Sequence, residues 1–286
     1  MKTLSFIKMH GLGNDFIVID DLSAQKNTPL TPELAKTLCD RRFGIGADQI
    51  LWLKPAKGVT ARAPTDARME IFNSDGSVAE MCGNGIRAVA LYLKENAPKS
   101  HSSEYKIETL GGLIRVEVCE NGNVRVNMGV PHLGAGFSGS EPESITAFGQ
   151  KFQFYEVNIG NPHAIIFVQD VASFPAKRFG PEIEMNKRFP ERTNVEFVEI
   201  LKSEKSQAAQ VRVWERGAGL TLACGTGACA AAIAVCWVQK KYEEILIHLP
   251  GGTLKMNWEG AGKPIMMEGP ATEVFRGEYT VTTNNK

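Results

Sequence analysis

The chain has 286 residues, of which 32 are Lys or Arg and 32 are Asp or Glu, so its formal net charge is zero. No field of one sign is available to draw in nucleic acid or an anionic membrane, and a small molecule is the expected partner. The length suits two domains, and six cysteines without paired CxxC spacing read as thiols of a cytoplasmic protein, not as a disulfide scaffold or a zinc knuckle.

Along the chain, Met1 to Phe16 is broken by His10, Gly11 and Gly13 too early for an export signal. Phe16 to Ile19 reads as a strand and Pro32 to Asp40 as a helix capped by Thr31. Ile50 to Leu53 and Met69 to Phe72 read as further strands. Ile86 to Leu93 carries only Arg87 as a charge, which predicts a helix buried on nearly every side. Ile107 to Val118, broken at Gly111-Gly112, is expected to pair with Val124 to Met128 across the hairpin signal Asn121-Gly122. Gly217 to Gln239 is uncharged over about the length that spans a bilayer. Its Ala, Gly, Cys and Thr are weakly driven into lipid, so the segment is expected at the buried centre of a globular domain.

The chain repeats itself. Met69-Glu70-Ile71-Phe72-Asn73 followed by Met81-Cys82-Gly83-Asn84-Gly85 parallels Val211-Arg212-Val213-Trp214-Glu215 followed by Ala223-Cys224-Gly225-Thr226-Gly227 at one constant offset. Gly13-Asn14 matches Gly160-Asn161, Arg42-Phe43 before Asp48 matches Arg188-Phe189 before Asn194, and Gly111-Gly112 matches Gly251-Gly252, all in the same order. Recurring turn residues explain one such match but not a collinear set. The expected fold is therefore α+β: two similar domains from an internal duplication, each wrapping a sheet around a central helix.

In both copies a cysteine stands immediately before Gly-x-Gly and an apolar helix. Helix-start amides and the helix dipole are expected to lower the thiol pKa and to form an anion site for a substrate carboxylate. One sulfur on either side of an α-carbon then defines a reaction: a thiolate removes the α-proton, the amides hold the charge that lands on the carboxylate, and the opposite thiol returns a proton. A lone cysteine before a helix is more often an inert small hydrophobe. Cys82 and Cys224 occupy equivalent places of a repeat, whereas Cys39, Cys119, Cys229 and Cys236 have no duplicated partner and are read as core filler.

Lys8 to Asp20, Phe43 to Gln49, Asn73 to Arg87, Gly160 to His163, Arg192 to Phe197 and Trp214 to Ala228 closely resemble the motifs of the diaminopimelate epimerase family, along nearly the whole chain. The resemblance implies a cofactor-independent isomerase of lysine and cell-wall precursor synthesis that interconverts LL- and meso-diaminopimelate, with Cys82 and Cys224 exchanging the roles of base and acid. It implies that His163 and Glu215 assist proton transfer. Substrate-binding roles fall by the same resemblance to Asn14, Gln49, Asn73, Gly83, Asn84, Asn161, Asn194, Glu215, Arg216, Gly225 and Thr226. It further implies two pseudo-symmetric domains, each a mixed sheet rolled around a central helix, at residues 1–126 with 272–286 returning, and at 127–271. Read by themselves, Arg216 suits either a distal substrate carboxylate or a surface salt bridge, His163 also suits a satisfied strand-end histidine, and the asparagines suit turns.

The nearest rival is a proline racemase-like isomerase with the same pair of cysteines, and a second is a redox or binding protein in which Cys82 and Cys224 form a switchable disulfide. Neither Gly11-Leu12-Gly13 nor Gly44-Ile45-Gly46 continues to a dinucleotide fingerprint, and no lysine has a Schiff-base context. No cofactor or metal is expected; a homodimer is a bare expectation.

Overall fold

The computed structural model describes residues 2–23, 30–56, 65–96, 103–137, 141–202 and 206–281. The chain runs β1 (Lys2–Gly11), β2 (Asn14–Asp20), α1 (Pro32–Cys39), β3 (Gln49–Lys54), β4 (Ala67–Asn73), β5 (Val78–Ala79), α2 (Gly83–Asn96), β6 (Glu104–Thr109), β7 (Gly112–Val118) and β8 (Val124–Asn127). It continues through β9 (His132–Leu133), β10 (Glu143–Ala147), β11 (Gln150–Asn158), β12 (Pro162–Phe167), α3 (Ala176–Glu184), β13 (Asn194–Leu201), β14 (Gln207–Glu215) and β15 (Gly219–Leu220). Last come α4 (Gly225–Gln239), β16 (Ile245–Leu249), β17 (Gly252–Trp258), β18 (Ile265–Gly269) and β19 (Thr272–Val281). Two compact units result, Met1–Val126 with Pro270–Lys286, and Asn127–Gly269. The tail expected to return to the first domain is described as far as Val281; residues 282–286 lie outside the described residues.

The duplication is legible in the pairing. In the first unit β1 is antiparallel to β2, β2 parallel to β3, β3 antiparallel to β4, and β4 parallel to β6. In the second unit β11, β12, β13, β14 and β16 repeat those senses in that order. The hairpins β6–β7 and β16–β17 match as well. The strand flanking β11 is β10, immediately before it in sequence, whereas the strand flanking β1 is β19, from the far end of the chain. The break at Gly111-Gly112 is itself a hairpin turn, with Thr109 opposite Gly112. Beyond β7, Gly122 takes a left-handed φ of 82°, a conformation that glycine adopts without strain.

Apolar alternation sends each sheet's two faces to different helices. Thr31 caps α1 by accepting the Leu34 amide at 3.2 Å. That helix lays Ala35, Leu38 and Cys39 on Ile17, Ile19, Ile50 and Trp52. In the second unit α3 covers Phe152, Ile166, Val195 and Phe197 with Ala176, Phe179 and Ile183. The opposite faces hold α2 and α4, which carry the glycine turns. From Gly227 to Cys236, α4 is buried without interruption, because its small side chains let strands approach from every side. No helix among the described residues is long and apolar enough to cross a membrane.

Candidate active site

In the first unit, α2 begins one residue after Cys82. The Cys82 carbonyl accepts the Ile86 amide at 2.9 Å and its Sγ accepts the Gly85 amide at 3.2 Å, so the thiol occupies an N-cap position. The residue is half-buried. Its Sγ lies 3.9 Å from Asn14 Oδ1, which also accepts from Asn84 Nδ2 at 3.2 Å. Asn14 is anchored from behind: its Nδ2 donates to Asp48 Oδ2 at 2.9 Å. Arg41 bridges Asp48 and Asp15 at 2.7 Å each, and Lys8 Nζ donates to Asp15 at 2.6 Å and to the Gly46 carbonyl. Burial alone would raise the Asp15 carboxyl, but hydrogen bonds from Arg41 and Lys8 prevail and hold it down at about 2. Gln49 Nε2 donates to Asn73 Oδ1 at 2.8 Å, and Asn73 Nδ2 to Ser77 Oγ at 2.9 Å. Gln49 Oε1 is buried with no hydrogen-bond partner among the described residues.

The second unit uses the same registers with different side chains. Cys224 is the N-cap of α4, and its Sγ accepts the Gly227 amide at 3.3 Å and lies 3.5 Å from Thr226 Oγ1. Asn161 Nδ2 donates to Thr226 Oγ1 at 3.3 Å. His163, fully buried, places Nε2 at 2.9 Å from Asn161 Oδ1 and Nδ1 at 2.7 Å from Glu196 Oε1. Glu215 accepts from the Thr221 hydroxyl, and burial pushes its carboxyl above the usual range despite that bond and one from Cys224. Asn194 is spent on the backbone, donating to the Pro162 carbonyl and accepting the Arg216 amide, both at 2.9 Å. Arg216 is exposed, with Nη1 at 3.1 Å from the Glu191 carbonyl.

Two expectations need correction. A helix start does not by itself lower a thiol pKa here: Cys224 is raised well above the ordinary value, because burial and then the Glu215 carboxylate outweigh the Thr226 and Gly227 donors. Burial likewise lifts Cys39 to about 11 and Cys236 to about 12. Cys119 is not core filler either. It is half-buried and opens the hairpin turn, its carbonyl accepting the Gly122 amide at 3.0 Å.

Sequence reasoning missed three supports. Glu196 is one, and its signal is a charge within the apolar run 195–198 of β13 (Asn194–Leu201). Asp48 is the second; its sequence signal is its place at the end of the Arg42-Phe43 repeat match. The third is Glu184, which accepts from Trp214 Nε1 at 2.7 Å and from the Gly217 amide at 3.0 Å, clamping the turn that carries Glu215 and Arg216. No spacing rule points to Glu184, because α3 and that turn are far apart in sequence.

Comparison with known proteins follows the same lines. A family model described as diaminopimelate epimerase matches residues 6–134 and 155–274. The diaminopimelate epimerase of Carboxydothermus hydrogenoformans is 48% identical over 284 residues, covering 96% of this chain and 99% of that protein. Among solved structures, a PhzF-family phenazine biosynthesis protein from Bacillus anthracis superposes with a TM-score of 0.72 at 19% identity, covering 98% of this chain and 100% of that one. A hydroxyproline epimerase from Agrobacterium vitis, with trans-4-hydroxy-L-proline bound, gives 0.69 at 17% identity, over 98% and 91%. At those identities the two structures speak for the fold alone.

Proposed function

Since the chain belongs to the diaminopimelate epimerase family, we propose that it interconverts LL- and meso-diaminopimelate with Cys82 and Cys224 as the two proton-transfer groups, supplying lysine and peptidoglycan precursors. The observation that carries this reading is the duplicated cap: in each unit a thiol sulfur accepts the amide of the second glycine of a Gly-x-Gly turn, at 3.2 Å from Gly85 and 3.3 Å from Gly227. In one direction a thiolate takes the α-proton and the other thiol delivers its own to the opposite face; reversal exchanges the two roles. Amides at the two helix starts stabilise the charge that develops on the α-carboxylate more than they stabilise the ground state.

His163 and Glu215 assist proton transfer at the thiols. Glu215, bonded to the thiol and raised by burial, is suited to exchange a proton with it. Substrate recognition falls to Asn14, Gln49, Asn73, Asn84, Asn161, Asn194, Arg216 and Thr226, with the backbone of Gly83 and Gly225. The bare acceptor at Gln49 Oε1 suits a substrate ammonium, and the exposed Arg216 guanidinium suits a distal carboxylate. Asn194 acts indirectly by fixing the Arg216 amide. A side-chain set this polar fits a substrate with a second charged end better than proline. No step requires a cofactor or a metal, and a cytoplasmic, reducing home keeps both thiols active.

Turnover in heavy water is the test. Early in the reaction the product's α-carbon carries deuterium while recovered substrate stays largely unlabelled. Equal labelling of both from the start points to a single shared base and sinks the two-thiol reading. Racemisation of proline with no change in diaminopimelate would replace the substrate.

A further inference from the structure

The strand registers give the two units equivalent positions whose chemistry differs. Val18 pairs with Leu51 and Leu51 with Ile71, as Ile165 pairs with Glu196 and Glu196 with Val213. Phe16 opposes Gln49 as His163 opposes Asn194. Where the first unit buries Phe16 and Leu51, the second buries His163 and Glu196, and all four are fully buried. Stability offers no reason for that exchange, because a buried polar pair seldom outperforms a packed apolar one.

We propose that Glu196 is a positioning residue for Cys224, acting through a directed hydrogen-bond relay that runs from His163 by Asn161 and Thr226 to the sulfur. The proposal rests on reading Cys224 as a proton-transfer group. Its geometry is continuous: 2.7 Å from Glu196 Oε1 to His163 Nδ1, 2.9 Å from Nε2 to Asn161 Oδ1, 3.3 Å from Asn161 Nδ2 to Thr226 Oγ1, and 3.5 Å from Thr226 Oγ1 to Cys224 Sγ.

Its direction follows from donor counting. Thr226 has one hydroxyl hydrogen, and a Cys224 thiolate can only accept, so in that state the hydroxyl is the donor of the contact. Asn161 donates to Thr226 only while its oxygen faces a donor, so His163 Nε2 must carry a proton. Nδ1 must then share the second proton of the pair with Glu196. Glu196 Oε2 is buried with no hydrogen-bond partner among the described residues, so an ionised carboxylate would bare a charged oxygen in a dry interior. Burial raises the Glu196 carboxyl accordingly, and the pair keeps its shared proton. The result is a hydrogen bond donated to Cys224, which favours its thiolate against burial and against the acids facing it, Glu215 and Glu196. Asn14, the corresponding neighbour of Cys82, turns an oxygen toward the sulfur instead.

The test compares Glu196→Leu, the paired change His163→Phe with Glu196→Leu, which copies the first unit's Phe16 and Leu51, and Glu196→Gln, whose amide can still donate to Nδ1. In both Leu variants kcat/KM is expected to fall about tenfold or more, by the same factor in both reaction directions because the equilibrium constant is fixed, with its acid limb moved to higher pH, as expected for losing a hydrogen bond to a charged sulfur. Iodoacetamide labelling, read peptide by peptide, should shift to higher pH at Cys224 and stay put at Cys82. Glu196→Gln should lie closer to wild type. A folded paired variant with wild-type Cys224 labelling and turnover overturns the relay, as does a Glu196→Gln protein as impaired as Glu196→Leu. Wild-type protein that epimerises nothing defeats the functional reading instead, and the labelling comparison still decides whether the relay exists.

Discussion

The two units place a thiol at the same structural address and surround it with opposite electrostatics. Around Cys82 the support is an open ion network, Lys8, Asp15, Arg41 and Asp48, that depresses a carboxyl and steadies Asn14 from behind. Around Cys224 it is a dry set of acids, Glu196 and Glu215, whose carboxyls burial raises. One thiol is half-buried and the other buried. The proposed roles require opposite protonation states before each turnover, which unlike surroundings favour, and the strand registers put the differing side chains at equivalent positions of the two units.

The harshest way to break the comparison is to remove each sulfur. Cys82→Ala and Cys224→Ala should each lower epimerisation by about 10³-fold, since each removes the proton path on one face. Coupled spectroscopic or chiral assay of both variants checks this. Were one variant to keep substantial turnover, the units would not be functional equals.

Glycine at the third turn position sharpens it further. A Cβ at Gly85 would meet Leu51 Cδ2 at 3.0 Å, the far end of a side chain that can yield. At Gly227 it would meet Glu196 Oε1 at 2.8 Å, and that oxygen is already held by His163. Alanine gains about 1 kcal/mol over glycine inside a helix, while overpacking costs about 1–3 kcal/mol. Gly85→Ala should therefore be near neutral in chemical denaturation, and Gly227→Ala should be destabilised by about 1–2 kcal/mol with a larger loss of turnover. The reverse order would mean that Glu196 is not fixed.

The duplicated strands, both caps and both cysteines could be read from the sequence because each depends on local pattern: alternation, a polar residue before an apolar helix, and glycine where backbones crowd. Thr31 before Pro32 and Asn121-Gly122 are such cases, and the structure shows both. Thiol ionisation could not be read that way. The helix start at Cys224 was visible in the sequence, but the strands that bury it and the acids facing it come from distant segments, and their sum reverses the local effect. Glu184 escaped notice for the same reason. The proton-transfer reading of the two cysteines came from the repeat, whereas the assisting and binding roles proposed for the other residues came from family resemblance, and the physics of single residues left Arg216 and His163 open.

Acid also separates the halves, and its sign follows from the carboxyls. Asp15 falls from an ordinary 3.8 to about 2 in the folded protein, so the stability it contributes is present above 3.8 and is lost as pH falls through about 2. That shift corresponds to on the order of 2 kcal/mol in the first unit. Glu196 and Glu215 are raised, so their contribution is complete below the ordinary glutamate value of 4.5 and declines as pH rises through their folded values. Lowering pH from 5 toward 2 should thus weaken protection of β1, β2 and β3 before that of β12, β13 and β14, as read by hydrogen exchange and mass spectrometry. Asp15→Asn should flatten the first unit's response, because an amide has no proton to take up. If that variant keeps the wild-type acid dependence, the Lys8 and Arg41 network is not what ties the first unit's stability to pH.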